Sequence, residues 1–418
     1  MDVLELADRL WRGETTTAEH HPLAPAGELA VVSDGVAFLS EFANVSVFRT
    51  GDGLVLVDSG GPFAAANVHR RVREFSPDPV RVVVFSHGHI DHVFGVGPFD
   101  EEARTAGTAP PQVIAHHRLP ERFARYRRSA GYNAVINRRQ FGIEQLDWPT
   151  AYREPDDVYD GIRVLDVAGE PVELHHSRGE TDDHTWTWWP DRRVICSGDL
   201  FIWAAPNAGN PQKVQRYPRE WALALREMAA LDPDVLLPGH GVPVIGADRV
   251  AQALGDTARY LETIHDDTLA MMNAGAPLDD ILHSVRPPAE LADRPYLQPV
   301  YDDPEFIVRS VWREYGGWYD GRPDELKPAP RGEVARELAA LAGGADVLAD
   351  RALALLAAGR SRTAAHLARL AYLAAPDDAA VAAAHTRVFA TRRDEEPSTM
   401  AKGILGAAAR DSDVPQVE

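Results

Sequence analysis

Cysteine and lysine are nearly missing from this sequence. One of its 418 residues is cysteine, Cys196, which excludes an intrachain disulfide and any cluster of metal-bound thiolates. Lys213, Lys327 and Lys402 are the only lysines among 43 basic residues, in a chain rich in Ala and Arg. That bias fits the base composition of a GC-rich genome. No apolar run approaches the roughly 18 residues of a membrane span. The acidic, amphipathic start MDVLELADRLWRGE has no basic stretch followed by an apolar one, so no signal peptide and a cytoplasmic location are expected. Positive charge is also short: 63 acidic residues leave a net charge of -20. Such a surface disfavours nucleic acid and anionic membrane as partners. Residues beyond 330 hold 11 basic and 12 acidic side chains, so the excess lies almost wholly on 1–330.

What is present is ordinary globular composition, 45% hydrophobic and 25% charged, at a length that suggests two or three domains. A short helix and linker are expected over 1–28. AVVSDGVAFL, NVSVFRT and GLVLVDSG read as antiparallel strands, with Asp52-Gly53 as a hairpin turn. Helical spacing over 63–75 precedes the buried strand VRVVVFS (80–86). More strands follow in QVIAHH, IRVLDVA, VELHHS, TWTWW and RVICSGD, then the helix EWALALREMAALDP and the strand VLLPGHG. Strands and helices thus alternate twice, which suits an α/β fold of two packed sheets with helices outside. Residues 246–275 and 278–285 read as helical, 286–304 as a Pro-rich loop and 305–319 as a short aromatic segment. From 331 the chain is Ala/Leu/Arg helix, with a tail from Asp394 expected to fray.

The chemistry concentrates in His87-Gly-His89-Ile-Asp91-His92, directly after a buried strand. His87 and His89 can reach one metal, and Asp91 and His92 a second. Neutral imidazole with carboxylate suits Zn²⁺ first, with Mn²⁺ or Fe²⁺ as alternatives. Other histidines carry less. His116-His117 ends a strand and suits a surface position, and one of His175-His176 could face a cleft as an acid. Trp186, Trp188 and Trp189 read as core. Phe201, Ile202 and Trp203 read as core or as the wall of an apolar pocket, and Cys196 as a buried, inert thiol.

The HxHxDH spacing resembles the metallo-β-lactamase superfamily. So do NVSVFRTGDGLVLVDSGG with its Asp58-Ser59-Gly60 turn, VICSGDLF and LLPGHG. The resemblance implies an αββα sandwich with two divalent metal ions at one edge. Asp199 would bridge the ions and His240 would close the second site. The family's usual GHTxGH stands here as Gly179-Glu180-Thr181-Asp182-Asp183-His184. Glu180 occupies the position of a histidine ligand. His87, His89 and Glu180 are therefore assigned to the first metal, and Asp91, His92 and His240 to the second. A third carboxylate lowers the centre's net charge from about +1 to about 0, weakens Lewis acidity and raises the pKa of bound water.

A glutamate here also resembles the alkylsulfatase branch of the superfamily. Two further segments agree with it, GYNAVINRRQFG (131–142) and VRSVWREYGGWYDGRP (308–323). The resemblance implies a catalytic domain over 29–285, a linker with YGGWYDG over 286–330, and an α-helical dimerisation domain over 331–418. It further implies a homodimer through the C-terminal helices and a small anionic ester as substrate. Asn133, Arg138, Arg139 and His184 are substrate-side candidates, and Asp91 would orient the attacking hydroxide or take its proton. The expected reaction is hydrolysis of sulfate esters of alkyl or aryl alcohols. The alternative is another ester (a lactone, thioester or phosphodiester), with an iron-dependent oxidoreductase behind it. Three features depart from the branch. No sterol-carrier-like C-terminal domain is seen, the N-terminal region is shorter, and the stretch from Asp199 to Asn210 holds no histidine to protonate a leaving alcohol.

Overall fold

The computed structural model describes residues 2–410. Two compact units emerge, one of residues 1–130 and 148–318, the other of 131–147 and 319–418.

The first unit carries both sheets. Seven strands run in chain order in one sheet: β1 (Glu28–Ser33), β2 (Val36–Ser40), β3 (Val45–Thr50), β4 (Gly53–Val57), β5 (Val80–Val84), β6 (Gln112–His116) and β7 (Asp157–Tyr159). Pairing is antiparallel from β1 to β4 and parallel from β4 to β7. The second sheet has six strands: β8 (Ile162–Val167), β9 (Glu170–His176), β10 (Thr185–Trp189), β11 (Val194–Gly198), β12 (Val235–Pro238) and β13 (Val244–Ile245).

Residue alternation explains the layering. Phe38, Phe48, Val55, Val57 and Val84 of the first sheet share a core with Leu174, Trp186, Trp188, Ile195 and Leu236 of the second. Phe48 stacks on Trp189 with ring centroids 3.9 Å apart. The intervening residues Ala37, Leu39, Val47, Leu54 and Leu56 face the other way. They pack against α2 (Ala65–Phe75), α4 (Gly97–Ala106) and α5 (Leu119–Arg128). The earlier helix α1 (Val3–Trp11) and the short α3 (Ile90–Val93) complete this half. On the far side of the second sheet lie α7 (Pro218–Ala230) and α8 (Ala247–Asn273), followed by α9 (Leu278–Ser284) and α10 (Pro304–Gly316). The result is the αββα order expected from sequence. The three tryptophans of β10 are core, and so are Phe201 and Trp203, which pack near Tyr296; Trp203 also lines a surface cavity with Leu4, Trp11 and Arg249. The aromatic segment expected at 305–319 is instead mostly helical. Asp303 accepts the Glu305 N–H as N-cap and Pro304 opens the first turn.

The second unit is helical: most of α6 (Ala130–Phe141), then α11 (Arg331–Ala342), α12 (Ala345–Ala357), α13 (Ser361–Ala374), α14 (Ala379–Glu395) and α15 (Thr399–Arg410). The tail expected to fray from Asp394 differs in its first part. Residues 399–410 form α15, whose Gly403 meets the Gln140 backbone so closely that a Cβ would lie 2.1 Å from its carbonyl oxygen. The end of that expected tail, 411–418, lies outside the described residues. No helix among the described residues is long and apolar enough to cross a membrane.

Candidate metal centre

β5 ends at Val84, and the chain turns through Ser86 and His87 into α3. His87 is fully buried and His89 partly so, and Asp91 and His92 sit in the single turn of α3. Glu180 comes from the loop between β9 and β10. Asp199 directly follows β11, and His240 follows β12. Four short segments thus deliver seven side chains to one end of the two sheets.

Their ligand atoms fall into two groups. Oε2 of Glu180 lies 3.6 Å from both His87 Nε2 and His89 Nδ1. Asp199 Oδ2 lies 3.8 Å from His87 Nε2. In the second group, Asp91 Oδ2 lies 3.6 Å from both His92 Nε2 and His240 Nε2. Asp199 reaches these as well, Oδ1 to His92 at 3.3 Å and Oδ2 to His240 at 3.2 Å. With metal–ligand bonds of about 2.0–2.1 Å, the edge of a tetrahedral site is about 3.4 Å. The observed spacings bracket that value, so the residues present fit two divalent ions with Asp199 between them.

Unmet polar atoms point the same way. His92 Nε2, Glu180 Oε2 and Asp199 Oδ1 are buried without a hydrogen-bond partner among the described residues. Burial works against charge on His92 and His240, yet Asp199 and its neighbouring carboxylates hold both above the usual imidazole range. His87 and His89 go the opposite way, kept neutral first by burial. A cluster that draws protons onto histidines is short of positive charge, and a metal ion supplies it.

The ligands are held from behind. His92 Nδ1 donates to Asp58 Oδ2 at 2.7 Å, and Asp58 also accepts the Ser86 N–H and O–H, each at 2.7 Å. This fixes which ring nitrogen faces the centre. His240 Nδ1 is hydrogen-bonded to the Phe42 carbonyl. Asp183 accepts Gly88 N–H at 2.9 Å and Arg122 Nε–H at 2.6 Å, pinning the His87–His89 loop.

Sequence reasoning missed the most consequential neighbour. Arg216 is buried, with its guanidinium 3.2 Å from Glu180 Oε1 and a bond to the Glu180 carbonyl. Asn207 donates to the same Oε1. Glu180 therefore brings its own counter-charge, and the centre returns to the charge of a site with a neutral third ligand. Nothing local in GNPQKVQRYP marks Arg216; only a long loop with two basic residues in a lysine-poor chain could have hinted at it. The other is Lys213, whose ammonium is pushed down to about 8 by burial and by Arg216, against the pull of Glu180 and Asp91.

The substrate-side candidates separate. His184 is fully buried and its Nε2 accepts the Asp199 N–H at 3.1 Å, so it backs a ligand rather than facing a substrate as expected. Asn133, Arg138 and Arg139 lie on α6, in the second unit, apart in assignment from the seven clustered residues. Cys196 is buried, its thiol pushed up to about 12.

Comparison with known proteins finds two matching domains. Residues 40–240 match the family described as the metallo-β-lactamase superfamily, and 277–413 match alkyl sulfatase dimerisation. A linear primary-alkylsulfatase of a Pseudomonas species is 29% identical over 317 residues, 71% of this chain and 60% of that protein. An (R)-specific secondary-alkylsulfatase, also from Pseudomonas, is 28% identical over 351 residues, 78% of this chain and 53% of its own. The chain thus spans about half to three fifths of the curated relatives it matches. The solved structure of an inverting sec-alkylsulfatase from Pseudomonas superposes with a TM-score of 0.82 at 23% identity, covering 94% of this chain and 66% of that one. At that identity the likeness speaks for the fold alone. By these two matches the chain carries a metallo-β-lactamase superfamily domain over 40–240, followed by an alkyl sulfatase dimerisation domain over 277–413.

Proposed function

We propose that the protein is a dinuclear metal-dependent hydrolase of sulfate esters of alkyl or aryl alcohols. The observation that carries this is the pair of ligand groups sharing Asp199, in a chain whose relatives are named alkylsulfatases. His87, His89 and Glu180 would hold one ion and Asp91, His92 and His240 the other, with Asp199 within reach of both groups. Two divalent ions, Zn²⁺ first, supply a water of lowered pKa and polarise a substrate oxygen. Asp91, the more exposed carboxylate of the centre, orients the attacking water or takes its proton. Burial pushes the Glu180 carboxyl well above its usual range, and Arg216 pulls against that shift, favouring the ionised form a metal would bind. Asn133, Arg138 and Arg139 are assigned to the sulfate group on motif resemblance, since planar guanidinium matches a tetrahedral oxyanion. The functional molecule is a homodimer in the cytoplasm.

Sulfate release from a series of alkyl sulfates by metal-loaded protein tests the reading. Turnover that rises with an optimal chain length is expected. No turnover at any length, together with turnover of a lactone, thioester or phosphodiester, overturns the substrate and leaves the metal centre standing. Arg138→Ala and Arg139→Ala should raise KM for the sulfate ester with little change in kcat. An unchanged KM in both removes them from the substrate site.

A further inference from the structure

A second cluster of metal-ligating side chains lies outside the seven. β6 and β7 pair in parallel with His116 level with Tyr159, and the His117 N–H donates to the Tyr159 carbonyl at 2.9 Å. That register sets His116 and His117, at the end of one strand, beside Asp160 at the end of the next. Asp160 Oδ1 lies 3.6 Å from His116 Nε2 and 3.6 Å from His117 Nδ1. These spacings again match the edge of about 3.4 Å of a tetrahedral site with 2.0–2.1 Å bonds.

His116 is the informative member. It is fully buried, yet its Nε2 has no hydrogen-bond partner among the described residues. Its ring is clamped against His176, centroids 3.6 Å apart and planes 7° from parallel. His176 is itself fixed through Nε2 to the Asp182 carbonyl at 3.0 Å. The stack leaves His116 Nε2 aimed at Asp160 rather than free to turn away. Burial, then the neighbouring His176 and His117, push the His116 imidazole down to about 4. At neutral pH the ring is uncharged, so a cation displaces no charge-bearing proton. Binding through Nε2 leaves the ring proton on Nδ1, giving up only a 3.5 Å contact from the Arg118 N–H, at the long limit of a hydrogen bond.

We propose that His116, His117 and Asp160 form a third metal site, distinct in every ligand from the dinuclear centre. Two imidazoles and one carboxylate suit Zn²⁺ or another borderline divalent ion, with water filling the open position. Its ligands are half-exposed on one side, through His117 and Asp160.

The test counts metal and does not depend on turnover. Full-length protein is loaded with Zn²⁺, desalted, and its zinc per chain measured by elemental analysis. The same is done for His117→Ala and Asp160→Asn, both at exposed positions that leave the buried His116 in place. One zinc fewer per chain in each variant than in the wild type, with hydrolysis of any substrate of the wild type retained, is expected. Loading with Co²⁺ should show the same loss as a drop in the visible absorption of the bound ion. Equal metal content in wild type and variants overturns the proposal, whether or not the protein hydrolyses sulfate esters.

Discussion

Glu180 is a buried carboxylate with two different faces. One oxygen is hydrogen-bonded to Asn207 and paired with Arg216; the other points unpartnered at His87 and His89. Removing a partner from a buried ion pair leaves the remaining charge uncompensated, at a cost of about 3–5 kcal/mol. Arg216→Met should therefore destabilise the metal-free protein in urea denaturation by up to that order, and by less as pH falls, because burial already favours the protonated Glu180 carboxyl. Divalent metal should recover part of the loss, because a cation then faces the same carboxylate. Metal-free Arg216→Met that unfolds at the wild-type midpoint would show that Arg216 does not balance Glu180. Four of the seven candidate ligands were legible because their motif is local: three histidines and an aspartate within six residues after an apolar strand have few other uses, whereas Glu180, Asp199 and His240 came only with the family resemblance. Arg216 was not, because its partner lies 36 residues away and only burial distinguishes it from the other arginines.

The element that orients the centre is the turn Asp58-Ser59-Gly60 after β4. Ser59 N–H and O–H donate to the His92 carbonyl at 2.8 and 2.9 Å, and the Gly95 N–H donates to Ser59 Oγ at 3.0 Å. A Cβ on Gly95 would lie 1.7 Å from the Ser59 carbonyl oxygen, and backbone cannot yield there as a side chain can. Gly95→Ala should displace Asp58 and with it His92. A loss of about 1–3 kcal/mol or more in stability and of metal affinity about 10–100-fold, the range for lost outer-shell support, is expected from chelator competition. Unchanged affinity would detach this turn from the centre. In the helical unit, His385 on α14 stacks between Tyr372 and Phe389 with both ring nitrogens unpartnered among the described residues. Burial, then Arg369, pushes it down to about 4 from an unfolded value of 6.5. Between those values the unfolded chain binds a proton that the fold refuses. Stability is thus fully present above 6.5 and falls as pH drops towards 4, by at most about 1.4 kcal/mol per pH unit. His385→Leu should flatten that slope, read as hydrogen exchange of α13 and α14 between pH 7 and 5. A slope identical to wild type would assign the acid sensitivity elsewhere.

At the scale of the whole molecule, the two units differ in how they bury apolar surface. The sheet unit closes a continuous core of large side chains. The helical unit packs mainly alanines, Ala349, Ala352, Ala364, Ala368 and Ala371 among them, in two small clusters. Tyr372, Leu355, Val381 and Val388 join them, while other large apolar residues stay outside. On α11, Val334, Leu338 and Leu341 are 45%, 40% and 85% exposed, at a spacing that places them on one face. An apolar stripe of this kind on an alkyl sulfatase dimerisation domain suits a second copy of the chain. Leu338→Glu with Leu341→Glu should convert a dimer to monomers by light scattering while leaving helix content unchanged. A monomeric wild type would remove the dimer.

The sequence by itself determined the layered α/β class and the four candidate ligands of 87–92, because strand alternation and the HxHxDH spacing are properties of neighbouring residues. It also carried the helical character of the C-terminal region, though not the helix at 399–410, whose glycine-mediated approach to Gln140 is a long-range contact. Tertiary structure alone decided how charge is distributed at the centre. The net charge of -20 and the extra carboxylate of Glu180 pointed to a nearly neutral pair of metals awaiting an arginine from α6. Folding also brings Arg216 to Glu180 and Asp160 to His116 and His117, pairings between distant segments that no local pattern records, because electrostatic energy depends on distance in space rather than along the chain.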